Sequence, residues 1–103
     1  MTTVIVQYKV KPDQVESNKE LISAVYDELR ENQPGDTRYI TFQLEDGVSF
    51  IHLNWNDRED GTNALTELPA FQRFQHRIPE RVEEGPVVTK LNEVGSFRID
   101  DGK

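Results

Sequence analysis

Thr37-Arg-Tyr-Ile-Thr-Phe-Gln-Leu-Glu45, Asp46-Gly47, Val48-Ser-Phe-Ile-His-Leu-Asn-Trp-Asn56 is the stretch that decides the fold. Two runs rich in β-branched and aromatic residues flank an Asp-Gly pair, the signal of a tight hairpin. Alternate side chains of a strand point to opposite faces. In the first run Ile40, Phe42 and Leu44 form a wholly apolar set, while Tyr39, Thr41 and Gln43 are mixed. In the second run Ile51, Leu53 and Trp55 alternate with Phe50, His52 and Asn54. A face that is half polar and still aromatic suggests a functional interior.

Outward from the hairpin, each side adds a strand and a helix. Residues 3–10 read as a first strand. Pro12 and Asp13 end it, and Asp13 with Glu16 has capping-box spacing. A helix is expected from Gln14 to Asn32, with the stripe Val15, Leu21, Ile22, Val25, Tyr26 and Leu29. Pro34-Gly35-Asp36 stops it. After the charged loop 57–61, a short helix is expected over Thr62–Leu68. A second piece runs from Pro69 to Ile78, with Phe71, Phe74 and Ile78 on one face and Pro79 bending or ending it. Residues 86–98 read as a long last strand with Gly95 as a candidate bulge. The tail from about residue 99 to 103 is expected to fray.

The order βαββαβ predicts an α+β, ferredoxin-like domain: a four-stranded antiparallel sheet with both helices on one face. The length of 103 residues fits a single domain over 1–103. If the wholly apolar strand sets lie under the helices, then Gln7, Tyr39, Thr41, Gln43, Phe50, His52 and Asn54 share the far face. Two sheets packed face to face would enclose that face. The apolar fraction of 35 % is low, which favours a core shared between two copies.

The net charge of −7 argues against nucleic acid and against an anionic membrane surface. No cysteine is present, so disulfides, thiolate metal sites and cysteine nucleophiles are excluded. No apolar stretch reaches membrane-spanning length and the N-terminus has no signal core. The chain reads as a soluble cytoplasmic protein. Its two histidines have no metal-ligand spacing, and no Gly-rich phosphate loop is present, so no metal or other cofactor is expected.

Three segments carry a wider resemblance: His52-Leu-Asn-Trp-Asn-Asp57, Leu68-Pro-Ala-Phe-Gln-Arg-Phe74 and Pro86-Val-Val-Thr-Lys-Leu-Asn-Glu-Val94. In layout and spacing the chain resembles the dimeric α+β barrel superfamily, and most closely its antibiotic biosynthesis monooxygenase branch. The resemblance implies a homodimer in which two sheets form a barrel and the last strand reaches the neighbour. It also implies cofactor-free oxygenation of polyketide-like quinols, quinol oxygenation or haem degradation. The haem-degrading pattern places Gln7 where an Asn is expected, Leu65 or a neighbour in place of a Trp, and His76 near its His. The quinol pattern matches Asn63 to an Asn, while Trp55 lies on a strand end and no tyrosine follows Tyr39.

His52 is the candidate catalytic base, since a neutral imidazole works near neutral pH. His76 is the second candidate. It lies roughly 140° from Phe71 around its helix, which favours solvent. Gln7, Tyr39, Thr41, Gln43, Phe50, Asn54 and Asn63 are the candidate substrate contacts. Trp55 is expected to pack in the core or against a helix. The stripe Arg73, Arg77, Arg81 is expected to be solvated. Two functions compete: a cofactor-independent monooxygenase on an aromatic or polyketide-like compound, and a non-catalytic homodimer that binds a small molecule. An RNA-recognition module is disfavoured, because the third strand lacks the basic-aromatic signature.

Overall fold

The computed structural model describes residues 1–99, so the tail from Asp100 onward lies outside the described residues. The elements are β1 (Thr2–Val10), α1 (Val15–Asn32), β2 (Thr37–Gln43), β3 (Ser49–Asn56), α2 (Pro69–His76), α3 (Ile78–Arg81) and β4 (Val82–Leu91). Single 3-10 turns cover Pro12–Gln14 and Leu65–Glu67. All strand pairs are antiparallel and the sheet order is β2-β3-β1-β4. This is the expected ferredoxin-like arrangement. Both long helices lie on one face, where Ile22, Val25, Phe71 and Phe74 pack on Tyr8, Val10 and Phe50.

Local chemistry sets the boundaries. Gly47 takes φ 78°, and the Asp46 carboxylate accepts from the Val48 and Ser49 amides at 2.9 Å each, which closes the hairpin. Helix α1 ends at Gln33 in the left-handed region (φ 47°), whose N–H donates to the Leu29 carbonyl. The Asp13 side chain forms no cap. A 3-10 turn at Pro12–Gln14 leads into α1 in its place. The expected short helix over Thr62–Leu68 is only the 3-10 turn at Leu65–Glu67.

On β2 and β3 the two faces are the reverse of the expectation, while on β1 Gln7 keeps the far face expected for it. Tyr39, Thr41, Phe50, His52 and Asn54 lie under the helices, together with Val4, Val6 and Tyr8. The register pairs Val6 with His52 and Ile40 with Leu53, so Ile40, Phe42, Ile51, Leu53 and Trp55 occupy the open face. Gln7 pairs with Ile51 and therefore stands on that open face, away from His52. Trp55 is there too, with the Arg38 guanidinium 5.4 Å from its ring centroid and no helix over it. The physical reason is that polarity ranks two faces only when one of them faces water. Here the mixed face satisfies its polar groups internally. The more apolar face is left uncovered, with Phe42 50 % and Val87 59 % exposed.

The last strand also differs. It starts directly after α3 at Val82 and ends at Leu91, and its irregularity falls at Gly85, not Gly95. Between Gln7 and Lys9 the β1–β4 register shifts, and Gly85 takes φ 89° opposite Tyr8. A Cβ there would lie 2.8 Å from the Gln7 carbonyl oxygen and 3.2 Å from Tyr8 Cα. Those are backbone atoms and cannot step aside. Gly85→Ala is expected to cost roughly 1–3 kcal/mol of unfolding free energy in urea titration. A loss within about 0.5 kcal/mol, the range of neutral surface changes, would contradict this account of the bulge.

Candidate functional site

Between the helices and the sheet lies a cavity of about 230 Å³. Val4 and Val6 of β1, Leu65, Phe71, Phe74 and Ile78 supply apolar wall. Tyr39, His52, Asn54, Asn63, Thr66 and Gln75 supply the polar groups. No Lys, Arg, Asp or Glu side chain is among its lining residues. The helical phenylalanines project onto the sheet because Phe71, Phe74 and Ile78 share one face of the α2–α3 segment.

His52 is only 4 % exposed. Its ring stacks between Tyr8 (centroids 5.3 Å apart) and Tyr39 (5.7 Å), with Phe74 tilted at 5.4 Å. Nε2 lies 2.7 Å from the Tyr8 hydroxyl, and Nδ1 lies 2.7 Å from the Tyr39 hydroxyl and 3.0 Å from Thr41 Oγ1. The network extends on both sides. Asn18 Nδ2 donates to the Tyr8 hydroxyl oxygen at 3.0 Å, and Arg81 Nε donates to Asn18 Oδ1 at 2.9 Å. Tyr26 and Thr41 hydroxyls are 2.8 Å apart. Every member has at least one partner inside an otherwise apolar layer, and only Arg81 Nη1 lacks one among the network atoms described, which keeps the cost of burying these polar groups low.

Burial sets the protonation states. Desolvation pushes the His52 imidazole down to about 4, so it is neutral at pH 7. Desolvation likewise pushes the Tyr8 phenol up to about 12, against the opposing pulls of the Asn18 hydrogen bond and the Arg81 charge. Burial raises Tyr39 as well, helped by its neighbour Tyr26. Both phenols stay protonated. The cavity therefore presents a hydroxyl and a neutral ring, and no formal charge.

The predicted site residues divide. Tyr39, His52, Asn54 and Asn63 line the cavity, and Thr41 reaches it through His52. Phe50 is buried in the core against Tyr8 (5.7 Å) and does not line this cavity. Gln43 is exposed and donates to the Gly47 carbonyl, so it braces the hairpin and is not paired with Asn54. Asn63 Nδ2 donates to Asn54 Oδ1 at 2.7 Å, and Asn54 Nδ2 donates to Thr37 Oγ1 at 2.7 Å. The pair ties the loop before α2 to β3. Gln7 is on the other face. His76 is exposed at the end of α2 and is not among the lining residues. Among the described residues, no three His, Asp or Glu side chains gather as a metal site.

Tyr8, Asn18 and Arg81 were not legible as site residues. Tyr8 sat in an apolar strand set. Asn18 is the polar break in the stripe Val15–Asn18–Ile22–Val25, and that break was the available signal. Arg81 was expected in solvent with Arg73 and Arg77, yet it is 3 % exposed. Arg81 follows Phe74 by seven residues, about 20° away around the helix, so it joins the buried face of Phe71, Phe74 and Ile78, while Arg73 and Arg77 stay outside it.

A model of the antibiotic biosynthesis monooxygenase family matches residues 1–77, which span β1 through α2 and contain His52 and Tyr39. The chain belongs to this family. Solved structures agree in fold. An antibiotic biosynthesis monooxygenase structure superimposes with TM-score 0.75 at 18 % identity, covering 92 % of this chain and 100 % of the other. A candidate antibiotic biosynthesis monooxygenase of Nitrosomonas europaea gives 0.75 at 21 %, with the same coverage. Rv0793 of Mycobacterium tuberculosis gives 0.74 at 17 %, covering 92 % and 96 %. At such identities the likeness is one of fold. A search of curated proteins finds no significant match. Among the described residues of this family member, no helix is long and apolar enough to cross a membrane.

A pH signature follows from the buried imidazole. The unfolded chain protonates His52 near the ordinary 6.5, and the folded chain only near 4. The contribution to stability is full above about 6.5 and is lost as pH falls toward 4, because only the unfolded state takes up the proton in that window. The loss is about 3 kcal/mol at most. In urea unfolding from pH 7 to 4, His52→Phe is expected to show a shallower decline than wild type by about that amount. Parallel declines would contradict a buried neutral His52.

Proposed function

We propose that this family member is a cofactor-independent oxygenase of a small dihydroxyaromatic compound held between the helices and the sheet. The observation that carries the reading is the uncharged, mainly apolar cavity whose wall holds the Tyr39 hydroxyl with the His52 ring directly behind it. The volume is below the ~300–1,000 Å³ of most ligand sites, which favours a compound of one or two rings. An uncharged lining favours a neutral substrate over a carboxylated or phosphorylated one.

The substrate supplies all the electrons. One ring C–H becomes C–OH and two phenolic O–H groups become carbonyls, a four-electron loss. One atom of dioxygen enters the ring and the other leaves as water. The difficult step is removal of electrons from the ring, and it is easier from a phenolate. The Tyr39–His52 pair lies where a substrate hydroxyl oxygen can be held. A hydrogen bond to oxygen that becomes negative in the reaction lowers the barrier directly.

We also propose that the open sheet face is covered by a second copy of this chain. Ile40 and Phe42 on β2 and Leu44 just after it, with Val87 and Leu91 on β4, form its exposed apolar rows. Light scattering is expected to give twice the 11.9 kDa chain mass. A monomer at micromolar concentration would remove this part of the reading.

The second reading is a non-catalytic dimer that binds a small molecule. It is favoured by the completeness of the polar network, in which both His52 nitrogens and the Asn54 side chain are already paired. Oxygen uptake with dihydroxynaphthalene as substrate separates the two. Enzyme-dependent uptake is expected, and Tyr39→Phe should lower kcat/KM about a hundredfold. Thermal stabilisation by the compound without any uptake would select the binding protein. Equal rates for wild type and Tyr39→Phe would remove Tyr39 from the chemistry.

A further inference from the structure

We infer that Arg81, acting through Asn18 and Tyr8, fixes His52 as the Nδ1–H tautomer, so that the Tyr39 hydroxyl faces a bound ligand as a hydrogen donor and not as a base. The inference deepens the proposed function and rests on it in one respect only, that the cavity receives the ligand.

The direction of the chain follows from what each group can do. A guanidinium only donates. The Asn18 atom 2.9 Å from Arg81 Nε is therefore its carbonyl oxygen, and the amide nitrogen is turned to Tyr8. Asn18 Nδ2 only donates, so the Tyr8 oxygen accepts from it. The hydrogen of the Tyr8 hydroxyl then goes to the other partner in reach, His52 Nε2 at 2.7 Å. Nε2 is thereby an acceptor. A neutral imidazole carries one hydrogen, so it sits on Nδ1. From there it is donated to the Tyr39 oxygen at 2.7 Å and shared with Thr41 Oγ1 at 3.0 Å. The Tyr39 oxygen accepts, and its own hydrogen is the first in the chain that can turn to the cavity.

Apart from the Asn18 bond, the Arg81 guanidinium meets Phe74, lying 5.0 Å from its ring centroid. It is buried, and none of the ion pairs among the described residues includes it. Its Nη1 has no partner among the described residues, while Nη2 donates to the Phe74 carbonyl at 3.2 Å. An apolar side chain would fill the site without the desolvation cost of a lone cation. No carboxylate bonds to Asn18, Tyr8 or His52 in the described structure, so nothing there reverses the direction. Arg81, Asn18 and Tyr8 are positioning residues. They select ligands that offer an oxygen acceptor, a phenolate or a carbonyl, at Tyr39.

The test is the ring 15N–1H long-range correlation spectrum of the full, uniformly labelled chain at neutral pH without ligand, with His76→Gln used to assign the two histidines. Wild-type His52 is expected to show one tautomer, with Nε2 as the unprotonated nitrogen. In Asn18→Asp the carboxylate accepts from both Arg81 and the Tyr8 hydroxyl. Tyr8 then accepts from His52, and the two ring nitrogens are expected to exchange signatures. A wild-type Nε2–H tautomer would overturn the inference, as would an Asn18→Asp spectrum with unchanged nitrogens. If Asn18→Asp does not fold, the wild-type spectrum alone decides. No substrate enters the measurement. Absent oxygen uptake with an Nδ1–H spectrum therefore removes the oxygenase reading and keeps this one, and turnover with an Nε2–H spectrum does the reverse.

Discussion

Everything in this structure is arranged around a neutral imidazole buried between two tyrosine rings. His52 cannot be placed in the layer between sheet and helices unless both its nitrogens are bonded, because an unpaired buried polar atom costs on the order of 1–3 kcal/mol. Tyr8 from β1 and Tyr39 from β2 meet it from either side at 2.7 Å. That requirement fixes the register of three strands, since a slip of one residue would send His52 to the opposite face. It also brings α1 and α3 into the same network, through Asn18 and Arg81. The polar chain is thus a constraint on the fold and the electrostatic background of the cavity at once.

The consequence for the sheet is an unusual division of labour. The face under the helices carries tyrosine, threonine, histidine and asparagine. The open face carries Ile40, Phe42, Ile51, Leu53 and Trp55. An isolated domain would place these the other way round. The arrangement is understandable if the helix-covered layer is the ligand chamber and the apolar face is itself an interface. All the residues that line the chamber as described come from one chain.

The elements and their order were legible in the sequence, because they rest on local chemistry. Asp46-Gly47 forces the hairpin, Pro12 and Pro34 bracket α1, and the period of Phe71, Phe74 and Ile78 marks the second helical region. The identity of the residues on each strand face was also legible, and so was the importance of Tyr39 and His52. Which face meets the helices was not. Hydrophobicity orders the faces only against water, and here the mixed face meets the helices and satisfies its polar groups among its own side chains. Gln7 is on the far face as expected, but the companions expected beside it, Tyr39, Thr41 and His52, lie on the other. Arg81 was readable in principle, since it follows Phe74 by seven residues and shares the buried face of Phe71, Phe74 and Ile78; its charge and the four-residue arginine spacing pointed to solvent instead. Asn18 was readable in principle as a polar residue within an apolar stripe. Its role emerges only when β1 delivers Tyr8 to within hydrogen-bonding distance.

The central claim is that the chamber between helices and sheet receives the ligand and that Tyr39 meets its oxygen. The most direct measurement is a crystal structure of the protein soaked anaerobically with dihydroxynaphthalene. The account predicts the ring between Phe71, Phe74 and β1, with one oxygen within hydrogen-bonding distance of the Tyr39 hydroxyl. Ligand density on the open sheet face, or in the chamber with no oxygen near Tyr39, would contradict it.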